Sequence, residues 1–263
     1  MIVKENVLIH PGAQIGENVR IEPFVTIAED VVIGDNTWIG PHVTILNGVR
    51  MGSNCRIFPG SVIGGIPQDL KYKGEHSLVE IGDNVTIREY CTINRGTVAN
   101  YKTQIQDNCL LMAYVHVAHD CVIGRNCVLA NNVNLAGHIE IGESATLGGL
   151  TAVHQFVKIG EYAFVGGGSL VRKDIPPFIK AAREPLSYAG VNSIGLRRKG
   201  FSVEQINHIQ DIYRILFVKG YNTRQAVKII EATIDVSKER DRILGFIDSA
   251  DRGIMKGFKK LNG

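Results

Sequence analysis

Large side chains are scarce in this chain. Aromatic residues make up 7% of its 263 positions, with a single tryptophan, although hydrophobic residues reach 44%. The 29 glycines add to the impression of a narrow, repetitive interior filled by small and aliphatic groups. Disorder is excluded by the same hydrophobic content, since chains that stay unfolded have too little apolar surface to offset the entropy of ordering. Long apolar runs are also missing. Aliphatic residues never approach the roughly 18 in a row that a membrane-spanning helix needs, so no membrane insertion is expected. The opening stretch, MIVKENVLIH, has neither the apolar core nor the small-residue cleavage site of a secretory signal; a cytoplasmic location is expected. The five cysteines form no Cys-x-x-Cys pair, which argues against zinc held on thiolates. Basic and aromatic residues are not interleaved as nucleic-acid binding would favour.

Charge is present but uneven. The net charge is +3. Residues 183–263 carry 15 Lys and Arg against 9 Asp and Glu, a net of +6, and residues 1–182 carry 14 against 17, a net of −3. A basic C-terminal segment suits an acidic partner or a phosphate, and equally a plain solvated surface.

What the chain has in abundance is a period of six. Stepping by six from Val3 meets Ile9, Ile15, Ile21, Ile27, Ile33, Ile39, Ile45, Met51, Ile57 and Ile63. The register resumes at Ile81, Ile87 and Ile93 and runs from Ile105 to Val171. Of 29 such positions, 26 are aliphatic or Met; Asp69, Glu75 and Ala99 are the exceptions. Gly often follows the aliphatic residue and Asn comes two later, as in Ile15-Gly16-Glu17-Asn18 and Ile123-Gly124-Arg125-Asn126. Both residues tolerate the left-handed backbone of tight corners. The fourth residue after the aliphatic one is small or β-branched, as at Val19, Thr37, Ser61, Ala145 and Ala163. Each unit is therefore a short strand plus a corner, and such units bury their apolar side only by stacking. Cys55, Cys91, Cys109, Cys121 and Cys127 all fall at the small inward position and are expected to be buried, reduced thiols.

The pattern resembles the hexapeptide-repeat acyltransferases. The resemblance implies a mainly β fold, a left-handed parallel β-helix with three hexapeptides per triangular coil. The handedness comes from the resemblance, since the general crossover rule gives the opposite hand. Two stretches, about 64–80 and 94–104, break the pattern and are predicted to be loops thrown out from the coils, a common place for functional residues. Past Val171 the period ends. Ser202 with Gln205 forms a capping-box signature, followed by an apolar face at Ile206, Ile209, Ile212, Tyr213 and Leu216. Further helices are expected after Thr223 and Ser237. The expected organisation is a β-helix over 1–180 and a small α-helical domain over 190–263.

From 105 to 171 the register is unbroken, so residues 18 apart should lie above one another. His119 then falls on Gly137 and Gln155, Asp120 on His138 and Phe156, and Ala136 on His154, with His116 three residues before His119. Four of the chain's eight histidines thus gather at one corner. Histidine suits proton abstraction from a hydroxyl near neutral pH. Acyl transfer from a thioester also needs a donor for the developing oxyanion, and Gly137 would leave its N–H approachable.

At this point the resemblance narrows. Gln68-Asp69-Leu70-Lys71-Tyr72, His116-Val117-Ala118-His119-Asp120, Leu135-Ala136-Gly137-His138, Thr151-Ala152-Val153-His154-Gln155-Phe156 and Gly190-Val191-Asn192 through Gly200 are similar to the UDP-N-acetylglucosamine 3-O-acyltransferases of lipid A biosynthesis, over essentially the whole chain. The resemblance implies transfer of a 3-hydroxyacyl chain from acyl carrier protein to UDP-N-acetylglucosamine. His119 would be the general base, Asp120 its orienting partner and the Gly137 N–H the oxyanion donor. Lys71, His116, His138, His154 and Gln155 would line the sugar-nucleotide and acyl sites, Gln68 and Asp69 would touch substrate from the first loop, and Asn192 and Arg198 would hold the nucleotide. Gly167, where the family sets acyl length, would leave the groove open to long chains. No cofactor and no metal is implied, and a homotrimer is. Two departures bear on the nucleotide contacts: the family's carboxylate two residues after Asn192 is Ile194, and the stretch 183–188 differs in composition. Competing readings are a sugar-amine N-acyltransferase or an acceptor with a 3-amine, a γ-type carbonic anhydrase, whose His-x4-His spacing is absent, and a non-catalytic solenoid, which would have no need of the histidines.

Overall fold

The computed structural model describes residues 2–257; Met1 and the last six residues of the expected 190–263 segment lie outside the described residues. Each repeat supplies a strand of two to four residues, and successive strands fall in turn on three sheets that have 11, 9 and 8 strands among the described residues; pairing is parallel throughout the coils, and the last two strands of the 11-stranded sheet lie beyond them. The chain is therefore a left-handed parallel β-helix, triangular in section. In undisturbed coils partners are 18 residues apart, as Ile21 with Ile39 and Leu129 with Leu147. Alternation along each strand sends the hexad aliphatics inward, and Ile21, Ile39, Ile57 and Leu129 are fully buried. No side chain larger than these is needed to fill so thin a prism, which accounts for the shortage of aromatics. The small inward positions are filled as expected: Val19, Thr37, Ser61, Ala145 and Ala163 are buried.

The two loops are insertions of whole units. Ile57 pairs with Ile87, 30 residues on, and Ile87 with Leu111, 24 residues on. Both spacings are multiples of six, so the sequence register passes through the loops unbroken even where the chain leaves the coil. Corners are made by single residues in the left-handed region: Asn18, Asn36, Asn84 and Asn126 have φ between 55° and 58°, a conformation asparagine accepts at little cost.

All five cysteines are buried and free. Burial pushes the Cys55 thiol up to about 11 and those of Cys91 and Cys121 up to about 12, so these groups stay protonated and unreactive at neutral pH.

Beyond the last coil, Ile179–Ala182 pairs antiparallel with Ser187–Val191. Four α-helices follow among the described residues: α1 (Ser193–Arg198), α2 (Val203–Tyr213), α3 (Thr223–Thr233) and α4 (Lys238–Asp248). The Ser202–Gln205 capping box is present, and a second one, Asn222 with Gln225, starts α3. A π-helical turn, Arg214–Val218, continues α2. Neither α1 nor this turn was expected from sequence. The scarce aromatics concentrate where the helices meet the β-helix. Tyr162, Phe178 and Phe201 pack together, and Tyr188, Tyr213 and Phe217 stack beside them. Tyr213 is fully buried, and its hydroxyl donates to the Pro177 carbonyl at 2.7 Å.

Candidate active site

The strands His116–Val117, Asn134–Leu135 and Ala152–Val153 lie side by side in the second sheet. The corners that follow them place His119, Gly137 and Gln155 in one column and Asp120, His138 and Phe156 in the next. Backbone bonds fix the stack: the His138 N–H donates to the His119 carbonyl at 3.0 Å and the Phe156 N–H to that of Gly137 at 3.1 Å. Asp120 occupies the position that other coils give to corner asparagines, with φ 60°. An aspartate is accepted there for the same conformational reason, and the turn aims its carboxylate at the neighbouring imidazole.

His119 Nδ1 lies 2.8 Å from Asp120 Oδ2. The carboxylate only accepts, so Nδ1 carries the proton and Nε2 presents a lone pair. Nε2 makes no hydrogen bond among the described residues, and the side chain keeps 11% of its surface exposed while that of Asp120 keeps none. The second loop explains how a carboxylate can be buried here. Oδ1 accepts from the backbone N–H groups of Thr97 (3.0 Å) and Asn100 (3.2 Å), and Oδ2 accepts from the Thr97 hydroxyl (2.7 Å) as well as from His119. Burial by itself would raise the Asp120 pKa; the bonds from Thr97 and His119 outweigh it, and the group sits below the ordinary carboxylate range. The Asp120 N–H is in turn received by the buried Thr103 hydroxyl at 2.9 Å.

Gly137 lies against the His119 ring, and its N–H has no hydrogen-bond partner among the described residues. A side chain at 137 would meet the imidazole, so glycine is required by close approach. His138 stacks flat on Phe156 (4.5 Å between ring centres) and meets His119 edge-on. Burial holds its pKa below the usual histidine range, against the pull of Asp120, and burial does the same for His116. His116 Nδ1 is 2.7 Å from the Thr92 hydroxyl. His154 is exposed and turns Nδ1 toward the Gln155 carbonyl at 3.1 Å.

The remaining expected residues are more dispersed. Gln68 and Lys71 are exposed on the first loop, and Asp69 there accepts from the Lys71 N–H at 2.9 Å and acts electrostatically on His138. Gly167 is at the other edge of the second sheet, at the corner between Phe164–Val165 and Leu170–Val171. Asn192 and Arg198 are not brought to His119 within one chain. Asn192 caps α1, its side-chain oxygen receiving the Gly195 N–H and its amide donating to the Tyr162 carbonyl, at the corner after the third sheet. Arg198 is exposed in the last turn of α1, and Ile194 is exposed in its first. Sequence reasoning missed Thr92, Thr97, Asn100 and Thr103. Only Thr103 left a trace, as a hydroxyl residue at an inward hexad position.

His119, Asp120 and His138 hold ligand atoms within 4.8 Å of one another, a spacing compatible with a metal ion. The donor set does not fit one. A carboxylate offers about four acceptor positions, and all of those on Asp120 are taken by the bonds just given. What the corner offers is a base held by a buried anion, with a free backbone donor beside it. That pair can deprotonate a hydroxyl and receive the oxyanion of an acyl intermediate.

The fold and the site together define a hexapeptide-repeat transferase, and a profile described as bacterial transferase hexapeptide (six repeats) matches residues 102–137. A second profile, Udp N-acetylglucosamine O-acyltransferase, Domain 2, matches residues 174–255. The chain is 58% identical over 253 residues to the acyl-[acyl-carrier-protein]–UDP-N-acetylglucosamine O-acyltransferase of Sulfurihydrogenibium sp., covering 94% of this chain and 93% of that protein. It is 54% identical over 252 residues to the enzyme of the same name from Chlorobaculum parvum, covering 93% and 96%. Among solved structures it superposes with a TM-score of 0.95 on the UDP-N-acetylglucosamine acyltransferase of Bacteroides fragilis, at 50% identity, covering 97% of this chain and all of that one. The chain belongs to the acyl-[acyl-carrier-protein]–UDP-N-acetylglucosamine O-acyltransferase family.

Proposed function

We propose that the protein transfers a 3-hydroxyacyl chain from acyl carrier protein to the glucosamine 3-hydroxyl of UDP-N-acetylglucosamine, the first step of lipid A biosynthesis, in the cytoplasm and as a homotrimer. The observation that carries this is the corner where Gly137 lies against the His119 ring, neither His119 Nε2 nor the Gly137 N–H having a hydrogen-bond partner among the described residues, with Asp120 buried beside the imidazole. His119 Nε2 takes the proton from the sugar hydroxyl as its oxygen attacks the thioester carbonyl. The negative charge on the carbonyl oxygen falls to the Gly137 N–H. When the intermediate collapses, the carbon–sulfur bond breaks and the leaving thiolate takes the proton back from His119. Asp120 stabilises the imidazolium in between. No cofactor or metal takes part.

His116, His138, His154 and Gln155 line the same corner, and Gln68, Asp69 and Lys71 reach the acceptor from the first loop. Asn192 and Arg198 stand at a different corner of the prism, which favours a nucleotide held by a neighbouring chain of a trimer whose sites lie between protomers. The β-helix, 1–180, then carries the chemistry, and the helical segment, 190–263, receives the acidic carrier protein through its positive charge.

The test is product analysis. With 3-hydroxyacyl carrier protein and UDP-N-acetylglucosamine, an ester at the 3-position, cleaved by alkaline hydroxylamine, is expected. Acylation confined to a UDP-sugar bearing a 3-amine, giving a hydroxylamine-resistant amide, would replace the O-acyl reading by the N-acyl one.

A further inference from the structure

Between the loop that meets the acceptor and the carboxylate behind the base runs one short segment, Asn94-Arg95-Gly96-Thr97, and it touches both. On one side it pins each foot of the 67–71 stretch. The Asn94 side-chain amide donates to the Ile66 carbonyl at 2.9 Å, the Arg95 N–H donates to the Gly65 carbonyl at 2.8 Å, and Arg95 Nη2 donates to the Tyr72 hydroxyl at 3.2 Å. Gln68, Asp69 and Lys71 are the residues between these anchors. On the other side, Thr97 gives the Asp120 carboxylate both its backbone N–H and its hydroxyl. Gly96 lets the segment pass close to the start of the neighbouring strand: a β-carbon there would lie 2.2 Å from the Lys102 backbone nitrogen. Asn94 and Thr97 are buried and Arg95 is half-buried, so these bonds are made away from competing water.

We propose that this segment is a positioning device with two separable effects, Thr97 setting the turnover rate through Asp120 and Arg95 setting acceptor affinity through the first loop. The proposal rests on the acyl-transfer reading above. Thr97 is buried and bonded to Asp120. Its hydroxyl holds Oδ2 in the direction of His119 Nδ1, and losing that bond lets the carboxylate rotate away from the imidazole. Arg95 makes no hydrogen bond or ion pair with Asp120 or His119 among the described residues, so its loss loosens 67–71 and leaves the base in place.

The experiment is a set of kinetic measurements on full-length Thr97→Val, Thr97→Ser and Arg95→Met, with Thr97→Val also combined with Asp120→Asn, and thermal melts of each. Thr97→Ala takes the place of the valine variant should that one not fold. A hydrogen bond to a charged group corresponds to about tenfold or more in an equilibrium constant; with that factor felt in the positioning of Asp120, kcat of Thr97→Val should fall by about tenfold, with KM for UDP-N-acetylglucosamine unchanged. Thr97→Ser, which keeps the hydroxyl, should stay within about twofold of wild type, and in the Asp120→Asn background the valine substitution should cost no more than about twofold further. Arg95→Met should raise KM and leave kcat in place. Equal loss in Thr97→Ser and Thr97→Val, an undiminished cost of Thr97→Val beside Asp120→Asn, or an Arg95→Met variant altered in kcat alone would overturn the proposal. A wild-type enzyme that fails to acylate UDP-N-acetylglucosamine overturns the underlying reading instead.

Discussion

A methyl group on Gly137 would stand 2.5 Å from Cε1 and 2.7 Å from Nε2 of His119. The glycine and the imidazole occupy adjacent rungs of one column, with no room between them for a side chain. His119 cannot simply move aside, because its other nitrogen is tied to a buried Asp120 held in turn by Thr97 and Asn100. Gly137→Ala should therefore displace the ring from its working position. A misplacement of about 1 Å costs on the order of 10²-fold in rate. Steady-state kinetics should show a loss of that size in kcat, with a melting temperature close to wild type. Unchanged kcat would mean that the column has more slack than this packing allows.

Acid should weaken the fold through the histidines of the site first. Burial holds His116 and His138 below the ordinary histidine value of 6.5, so the folded chain favours their neutral rings. The fold keeps its full stability above that value and loses it as pH drops through the lowered ones, because the unfolded chain binds the protons first. The sign for Asp120 is that of a depressed acid: its contribution is present above the ordinary carboxylate value and is lost only as pH falls through its own lower one. Glu161 and Asp174, raised by burial, act in the opposite direction but cancel between variants. Denaturant unfolding of wild type and of His116→Gln/His138→Gln should thus differ by an amount that changes with pH below about 6.5. A difference that is flat from pH 8 to 5 would contradict it.

The proposed sharing of the site between chains of a trimer can be tested by complementation. His119→Ala and Arg198→Ala should each be impaired as pure proteins. Hybrids formed by co-expression should regain activity, since a His119 intact in one chain can face an Arg198 intact in another. Activity no higher than the sum of the two pure variants would place the whole site within one chain.

At the far edge of the second sheet, Gly167 stands near exposed Leu150 and Leu170. A β-carbon added at 167 would meet the Gly149 carbonyl at 3.1 Å, close but accommodated by a small shift. Apolar surface without a side chain to close it suits a long acyl chain, about 14 carbons or more, each buried methylene adding about 0.8 kcal/mol. Gly167→Met should move the preference in competition assays toward shorter 3-hydroxyacyl donors. An unchanged length profile would remove Gly167 from the acyl site.

The coil was legible because its physics repeats. Within the stacked coils the residues six apart face the same narrow interior, and even the loops insert whole units, so Ile57 and Ile87 keep the register across a spacing of 30. The column of His119, Gly137 and Gln155 followed from the same arithmetic. The support of Asp120 did not. Thr97 lies 23 residues before it in an insertion with no period, and nothing in the spacing tells which way such a loop folds back. The first helix was hidden for a related reason: Ser193–Arg198 is a single short stretch capped by Asn192, too brief to show an apolar stripe. The separation of Asn192 and Arg198 from His119 likewise depends on which corner each residue meets, and the hexad rule no longer applies beyond Val171.

In the proposed reaction His119, held by Asp120 and unaided by metal, takes the proton from the acceptor hydroxyl. The measurement that bears on it most directly is the single-turnover rate of acyl transfer by chelator-treated wild type and His119→Ala, each shown to be folded by its melting curve. Removal of a general base typically costs about 10²–10⁴ in rate, so the variant should fall by that factor while the chelator-treated wild type keeps its full rate. A His119→Ala rate near that of wild type, or a wild-type rate that collapses on chelation and returns with a metal ion, would contradict the account.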